Sequence, residues 1–167
     1  MMKCKSVSMK YTHEVNELKN IDSENMDVPA MLAMIKRSYI RYIDHEIQKE
    51  DINSGEFPFL LVLNEKDKIT QKELADSLRT SEGLVTRVLK KLEKNGYVSR
   101  DVDSNNKRRN IISITPKGRQ ITEKIIIYQN NWEKATFSFL TDDELKKFKQ
   151  NLKFSLINAI EVENGIE

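Results

Sequence analysis

Between Thr70 and Ile114 the period of the apolar residues changes once, and that change constrains the fold more than any other feature of the chain. Thr70-Gln71-Lys72-Glu73 has the form of a capping box, in which the Thr hydroxyl takes the amide three residues on and the Glu reaches back. A short helix through Leu74, Ala75 and Leu78 is expected after it. Thr80 or Ser81 then caps a second helix, whose apolar residues Leu84, Val85, Val88, Leu89 and Leu92 fall at helical spacing. Asn95-Gly96 ends that helix, since either residue tolerates the left-handed conformation. Beyond Gly96 the period shortens to that of a strand. Tyr97-Val98-Ser99-Arg100 and Asn110-Ile111-Ile112-Ser113-Ile114 read as two strands, joined as a hairpin by the polar stretch from Asp101 to Arg109. A short helix, a tight turn, a helix and a hairpin, in that order, make a winged helix-turn-helix.

The flanks are longer helices. Val28, Met31, Leu32, Ile35, Tyr39, Tyr42, Ile43 and Ile47 form one apolar stripe, with Asp27 as its cap and Pro29 in the first turn. The break is expected at Asn53-Ser54-Gly55. Pro58 opens a short, very apolar helix to about Leu63, and residues 64–68 read as a loop. Thr115-Pro116 starts a long helix with Ile121, Ile125, Tyr128, Trp132 and Ala135 on one side. Thr141-Asp142-Asp143-Glu144 is a second capping box, opening a last helix that carries Leu145, Phe148, Leu152, Leu156, Ala159 and Ile160.

The fold class expected is therefore mainly α with a small β-hairpin wing: a winged helix-turn-helix flanked by long dimerisation helices. Residues 1–26 show no sustained period and are expected to be an N-terminal tail, partly disordered, with a short helix near Tyr11 to Leu18. Residues 54–115 are the winged helix-turn-helix, and 27–53 and 116–163 are the dimerisation helices. The pairing rests on composition and size. With 38% apolar and 32% charged residues the chain is lean for its length, and the central domain is too small to cover three long amphipathic helices, which favours a dimer seam over the other reading of these stripes, an intramolecular core.

Net charge is +2, but it is unevenly spread. From Arg79 to Arg119 there are eleven basic and four acidic residues, so this segment carries +7 and the remainder −5. A basic stretch inside an otherwise acidic chain is the footprint of a polyanion binder. Candidate contacts are Ser81, Glu82, Gly83, Thr86 and Arg87, which start the second helix on its non-core side. Lys90, Lys91 and Lys94 continue its basic face, and Lys107, Arg108 and Arg109 crowd the wing. A helix fits the major groove of B-DNA, Arg can bridge a guanine or a phosphate, and Gly lets the backbone approach closely.

Other classes find no footing. The single Cys, Cys4, excludes an internal disulfide framework or a Cys-rich zinc module. It lies between Lys3 and Lys5, which favours thiolate, but in the expected tail and with no resolving partner. His13 and His45 each neighbour a Glu, a pattern of solvated surface rather than of a metal site. The sequence holds no phosphate-cradling Gly loop and no nucleophile elbow, so no enzyme, cofactor or metal is expected. No apolar run approaches the roughly 20 residues of a membrane span, and no signal peptide is seen. A soluble, cytoplasmic protein without membrane contact is expected.

Leu74-Ala75, Gly83-Leu84-Val85-Thr86-Arg87, Leu92-Glu93-Lys94-Asn95-Gly96-Tyr97-Val98, Lys107-Arg108 and Ile114-Thr115-Pro116-Lys117-Gly118 stand in the order and at the spacing of the MarR family of prokaryotic transcription regulators. The chain resembles that family from about Asp27 to Ile160. The resemblance implies a homodimer held by its first and last helices and bound to a pseudo-palindromic operator in double-stranded DNA. It further implies repression, often relieved by a small, commonly aromatic or phenolic, effector. The residues that would hold such an effector are unknown. Trp132, Tyr39 and Tyr42 are candidates, or ordinary core.

The family's wing usually carries Asp-x-Arg. Arg108 matches the Arg, while Asn106 stands where the Asp is expected, so the charge-assisted brace is lost. Either Asp101 or Asp103 substitutes, or the wing is looser and less selective. The alternative from another class is a winged-helix protein-interaction module with no DNA target. The basic segment disfavours it, because protein interfaces are depleted in Lys.

Overall fold

The computed structural model describes residues 15–102 and 110–165. Two compact units are present, Met1–Tyr42 and Ile43–Glu167. In the described part of the first, residues 15–19 are helical, near the short helix expected in the tail. A single 3-10 turn follows at Ser23–Asn25, where the Asp22 carboxylate accepts from the Glu24 amide at 3.1 Å. Helix α1 (Val28–Glu46) then begins, with Val28, Leu32 and Ile35 exposed.

The last residues of α1 belong to the second unit, where Ile43 and Ile47 are buried. The helix stops earlier than the apolar stripe suggests, because the chain folds back on it. Asp44 takes the Ser54 amide at 2.8 Å and the Ser54 hydroxyl at 2.9 Å, and the Asn53 side chain takes the Gly55 amide at 2.9 Å. Residues 47–56 are thus a loop pinned to the end of α1, with Ile52 tucked beneath it.

Helix α2 (Phe57–Glu65) has Pro58 in its first turn and buries Phe57, Phe59, Leu60 and Leu63. A two-residue strand β1 (Ile69–Thr70) leads into α3 (Gln71–Leu78), which buries Leu74 and Ala75. Thr70 closes the expected capping box: its amide donates to Glu73 Oε2 at 2.7 Å, and the Glu73 amide donates to Thr70 Oγ at 3.2 Å. Ser81, rather than Thr80, caps α4 (Glu82–Lys94), accepting from the Leu84 amide at 3.3 Å. Between α3 and α4 the chain turns at Arg79, which is left-handed with φ 49°. No glycine marks that turn. Gly96, at φ 75°, ends α4 as expected.

Strands β2 (Val98–Val102) and β3 (Asn110–Ile114) form the wing, with Val98 opposite Ile114 and Val102 opposite Asn110. The sheet has three strands rather than two, in the order β1-β3-β2, all antiparallel. Ile69 pairs with Ile112, and Thr70 with Ile111. Two residues are too few to show an alternating period, so this edge strand left no sequence signal.

Helix α5 (Pro116–Thr136) is capped by Thr115 and buries Ile121 and Ile125, whereas Ala135 at its far end is exposed. Helix α6 (Asp142–Glu163) opens with the expected capping box at Thr141. The Thr141 amide, and then its hydroxyl, hold the Glu144 carboxyl below its ordinary range. No α6 residue is buried. Phe154, Leu156 and Val162 are exposed, as is Phe139 before it at 77%. At the corner between α5 and α6, Phe137 packs edge-on against Trp132 at 6.1 Å and tilts over Phe148 at 5.2 Å. Lys149 and Glu133 pair beside them at 2.6 Å. Trp132 is therefore part of an aromatic corner, while Tyr39 and Tyr42 are half-buried in the other unit. Among the described residues no helix is long and apolar enough to cross a membrane.

Candidate nucleic-acid interface

Helix α4 has two unlike faces. Val85, Val88, Leu89 and Leu92 point into the core. Gly83, Arg87, Lys90 and Lys94, spaced four, three and four, lie along one exposed line on the other side. A Cβ built on Gly83 would meet nothing within 4 Å, so the start of this line is open. Arg87, Lys90 and Lys94 make no ion pair with any described residue. Their charges face solvent, with no ion-pair partner among the described residues.

The other expected contacts on α4 are differently placed. Ser81 spends its hydroxyl on the Leu84 amide. Thr86 donates to the Glu82 carbonyl at 2.8 Å and accepts from Gln71 Nε2 at 2.5 Å, locking α3 onto α4. Gln71 Nε2 also reaches the Glu82 carbonyl at 3.2 Å. The Glu82 side chain itself is exposed in the first turn. Lys91 is turned aside: its Nζ lies 2.7 Å from Glu56 Oε1, and the Glu56 side chain is only 9% exposed. Lys107, Arg108 and Arg109, with Asn106 and Asp103, lie outside the described residues, as do Cys4 and His13.

Further basic residues of the segment are also spent within the fold. Arg79 pairs with Glu163 at 3.0 Å, Arg119 with Asp67 at 2.8 Å and Arg100 with Glu93 at 3.8 Å. Lys117 donates to the Asn95 carbonyl at 2.7 Å and sits over the Tyr97 ring at 4.5 Å. Burial, then the Glu50 and Asp51 carboxylates, push the Tyr97 hydroxyl above its ordinary 10.0. The hydrogen bond from Lys124 to Glu50, at 2.8 Å, raises the Lys124 ammonium likewise. A count of basic residues missed these pairings because the partners Glu56, Asp67 and Glu163 come from distant parts of the chain.

Beside the first turn of α4 an open cleft of about 480 Å³ runs between Gln71, Asp76, Glu82 and Asn110, at the root of the wing. Among the described residues no group of three His, Cys, Asp or Glu side chains is placed to hold a metal. What the site offers is a rigid helix with a bare cationic stripe, braced by α3 behind and flanked by a sheet.

Residues 52–109 match the MarR family. The regulator BilQ of Clostridium symbiosum is 29% identical over 115 residues, which cover 69% of this chain and 80% of BilQ. Among solved structures, a MarR transcriptional regulator from Methanosarcina mazei superposes with a TM-score of 0.74 at 27% identity, over 81% of this chain and 97% of that one. The S. aureus MepR–DNA complex shares the fold, with a TM-score of 0.73 at 24% identity over 80% and 99% of the two chains. With its ordered motifs, its three-stranded winged helix and these likenesses, the chain carries over residues 52–109 a domain of the MarR family and is similar beyond it to MarR-type transcription regulators.

Proposed function

We propose that the chain acts as a homodimer that binds double-stranded DNA at a pseudo-palindromic operator, with α4 as the recognition helix. The observation that carries this reading is the unpaired line of Arg87, Lys90 and Lys94 opposite the buried face of α4. Such a helix matches the width of the major groove, and its N-terminal side chains meet base edges there. MepR, of the same fold, has been solved on DNA. In this reading Gly83 lets the backbone come close, Arg87 reads a base, and Lys90 holds a phosphate. Ser81, Glu82 and Thr86 line the entry of the helix, and the wing residues Lys107, Arg108 and Arg109 reach the neighbouring backbone or minor groove.

In this reading the division of labour is the one expected from the sequence. Residues 54–115 form the DNA-binding winged helix, and 27–53 and 116–163 the dimerisation helices, with 1–26 a tail. Exposed Val28, Leu32 and Ile35 on α1, and Phe154, Leu156 and Val162 on α6, are surfaces that a second copy would cover. Bound at an operator, the dimer blocks transcription, and a small aromatic effector that prefers another spacing of the two DNA-binding lobes relieves it.

Arg87→Ala tests the base-reading role. It is expected to cost about 1–3 kcal/mol on operator DNA and much less on mixed-sequence DNA, measured by fluorescence anisotropy on both duplexes. An equal loss on both would make Arg87 a phosphate contact and remove the proposed readout.

A further inference from the structure

Glu56 is a buried carboxylate with both oxygens occupied, at the mouth of the loop between α1 and α2. Oε1 takes Lys91 Nζ at 2.7 Å, and Oε2 takes the Asn53 amide at 3.1 Å. The Glu56 amide in turn donates to the Asn53 carbonyl at 3.0 Å. The next residue, Ser54, is held by Asp44 near the end of α1 through two hydrogen bonds. A second tie runs in parallel, from Asn95 Nδ2 at the end of α4 to the Asp51 carbonyl at 2.7 Å. The C-terminal half of α4 is thus strapped to the end of α1 by polar bonds that never touch its exposed stripe. A carboxylate desolvated to this degree is stable only while its cation and its amide donor stay in place, so the pair has one geometry.

We propose that Glu56 is a positioning residue for α4: it removes Lys91 from the set of DNA contacts and uses it to fix the pitch at which Arg87 and Lys90 enter the groove. This rests on the DNA-binding reading above. The two roles open to Lys91 predict opposite signs. If Lys91 held a phosphate, losing the Glu56 charge would free it and tighten binding. If it positions the helix, losing either partner weakens specific binding alone.

The test uses the full chain with Glu56→Gln, Lys91→Met and the double variant. The probes are a labelled duplex carrying the sequence that the wild-type chain enriches from a random pool, and a mixed-sequence duplex. Each single variant is expected to lose about tenfold on the enriched duplex, and the double variant no more than either, as members of one network do. The mixed-sequence affinity and the salt slope should stay at the wild-type values. Tighter binding by Glu56→Gln, or a salt slope shallower by about one phosphate in Lys91→Met, would overturn the proposal. So would an equal loss on both duplexes, which is what a smaller folded fraction produces. If either single variant does not fold, the double variant, which leaves no buried charge without its partner, carries the test on the same readings. A wild-type chain that enriches no sequence defeats the DNA reading itself, and the proposal with it. Enrichment by the wild type with any of the contrary results defeats only the positioning role.

Discussion

Raising monovalent salt from about 50 to about 200 mM is expected to lower the affinity of the proposed dimer for its operator more than about a hundredfold. On α4 each chain presents three cations that pair with no described carboxylate, Arg87, Lys90 and Lys94; with Arg87 on a base, Lys90 and Lys94 of two chains release counterions from about four phosphates. At about −0.9 per phosphate the log–log slope is near −4, made steeper by whatever Lys107, Arg108 and Arg109 add. All eleven basic residues of the segment, taken in both chains, would instead give a slope near −20. The slope therefore counts the cations that the fold leaves free. Titration by fluorescence anisotropy across that range reads it directly. An affinity that stays flat would mean that the stripe on α4 does not meet a polyanion.

The second large effect concerns the joint between wing and helix. Gly118 lies in the first turn of α5, where a Cβ would stand 2.2 Å from the Tyr97 carbonyl oxygen and 2.7 Å from Ile114 Cγ1. That carbonyl already accepts from the Thr115 amide and hydroxyl, both at 3.1 Å. The Gly118 amide in turn donates to Thr115 Oγ at 3.1 Å. There is no slack: a methyl group must push α5 off the end of the sheet and break the cap. Gly118→Ala should cost about 3 kcal/mol, and lower Tm by about 6–12 °C for a chain of this size. Thermal unfolding followed by circular dichroism checks it, with Gly83→Ala as the control, where the added carbon meets nothing within 4 Å. Equal melting temperatures for the two variants would contradict the packing described.

Much of this fold could be read before the structure, for a physical reason. The caps at Thr70, Ser81, Thr115 and Thr141 are local, each made by residues three apart, so the sequence carries them whole. The same holds for the apolar face of α4 and the glycine that ends it. What escaped was non-local. The edge strand Ile69–Thr70 exists only because β3 lies beside it. The left-handed turn at Arg79 carries no glycine to announce it. The early end of α1 depends on Asp44 meeting Ser54.

Within the candidate site the same division holds. Helical spacing alone sets Gly83, Arg87 and Lys90 opposite the apolar face of α4, and all three are exposed. Lys91 sits one position further on, and spacing cannot distinguish it from its neighbours; only Glu56, thirty-five residues earlier, does so. Charge patterns in a sequence show how many cations there are. The fold decides which of them are free.

Sequencing the duplexes that the chain enriches from a random pool tests the central claim most directly. Two copies of α4, each offering its basic stripe to a major groove on one side of the helix, should select an inverted repeat. Its half-sites should be centred one turn, about 34–36 Å, apart. Enrichment of a single unrepeated site, or of no sequence at all, would contradict it.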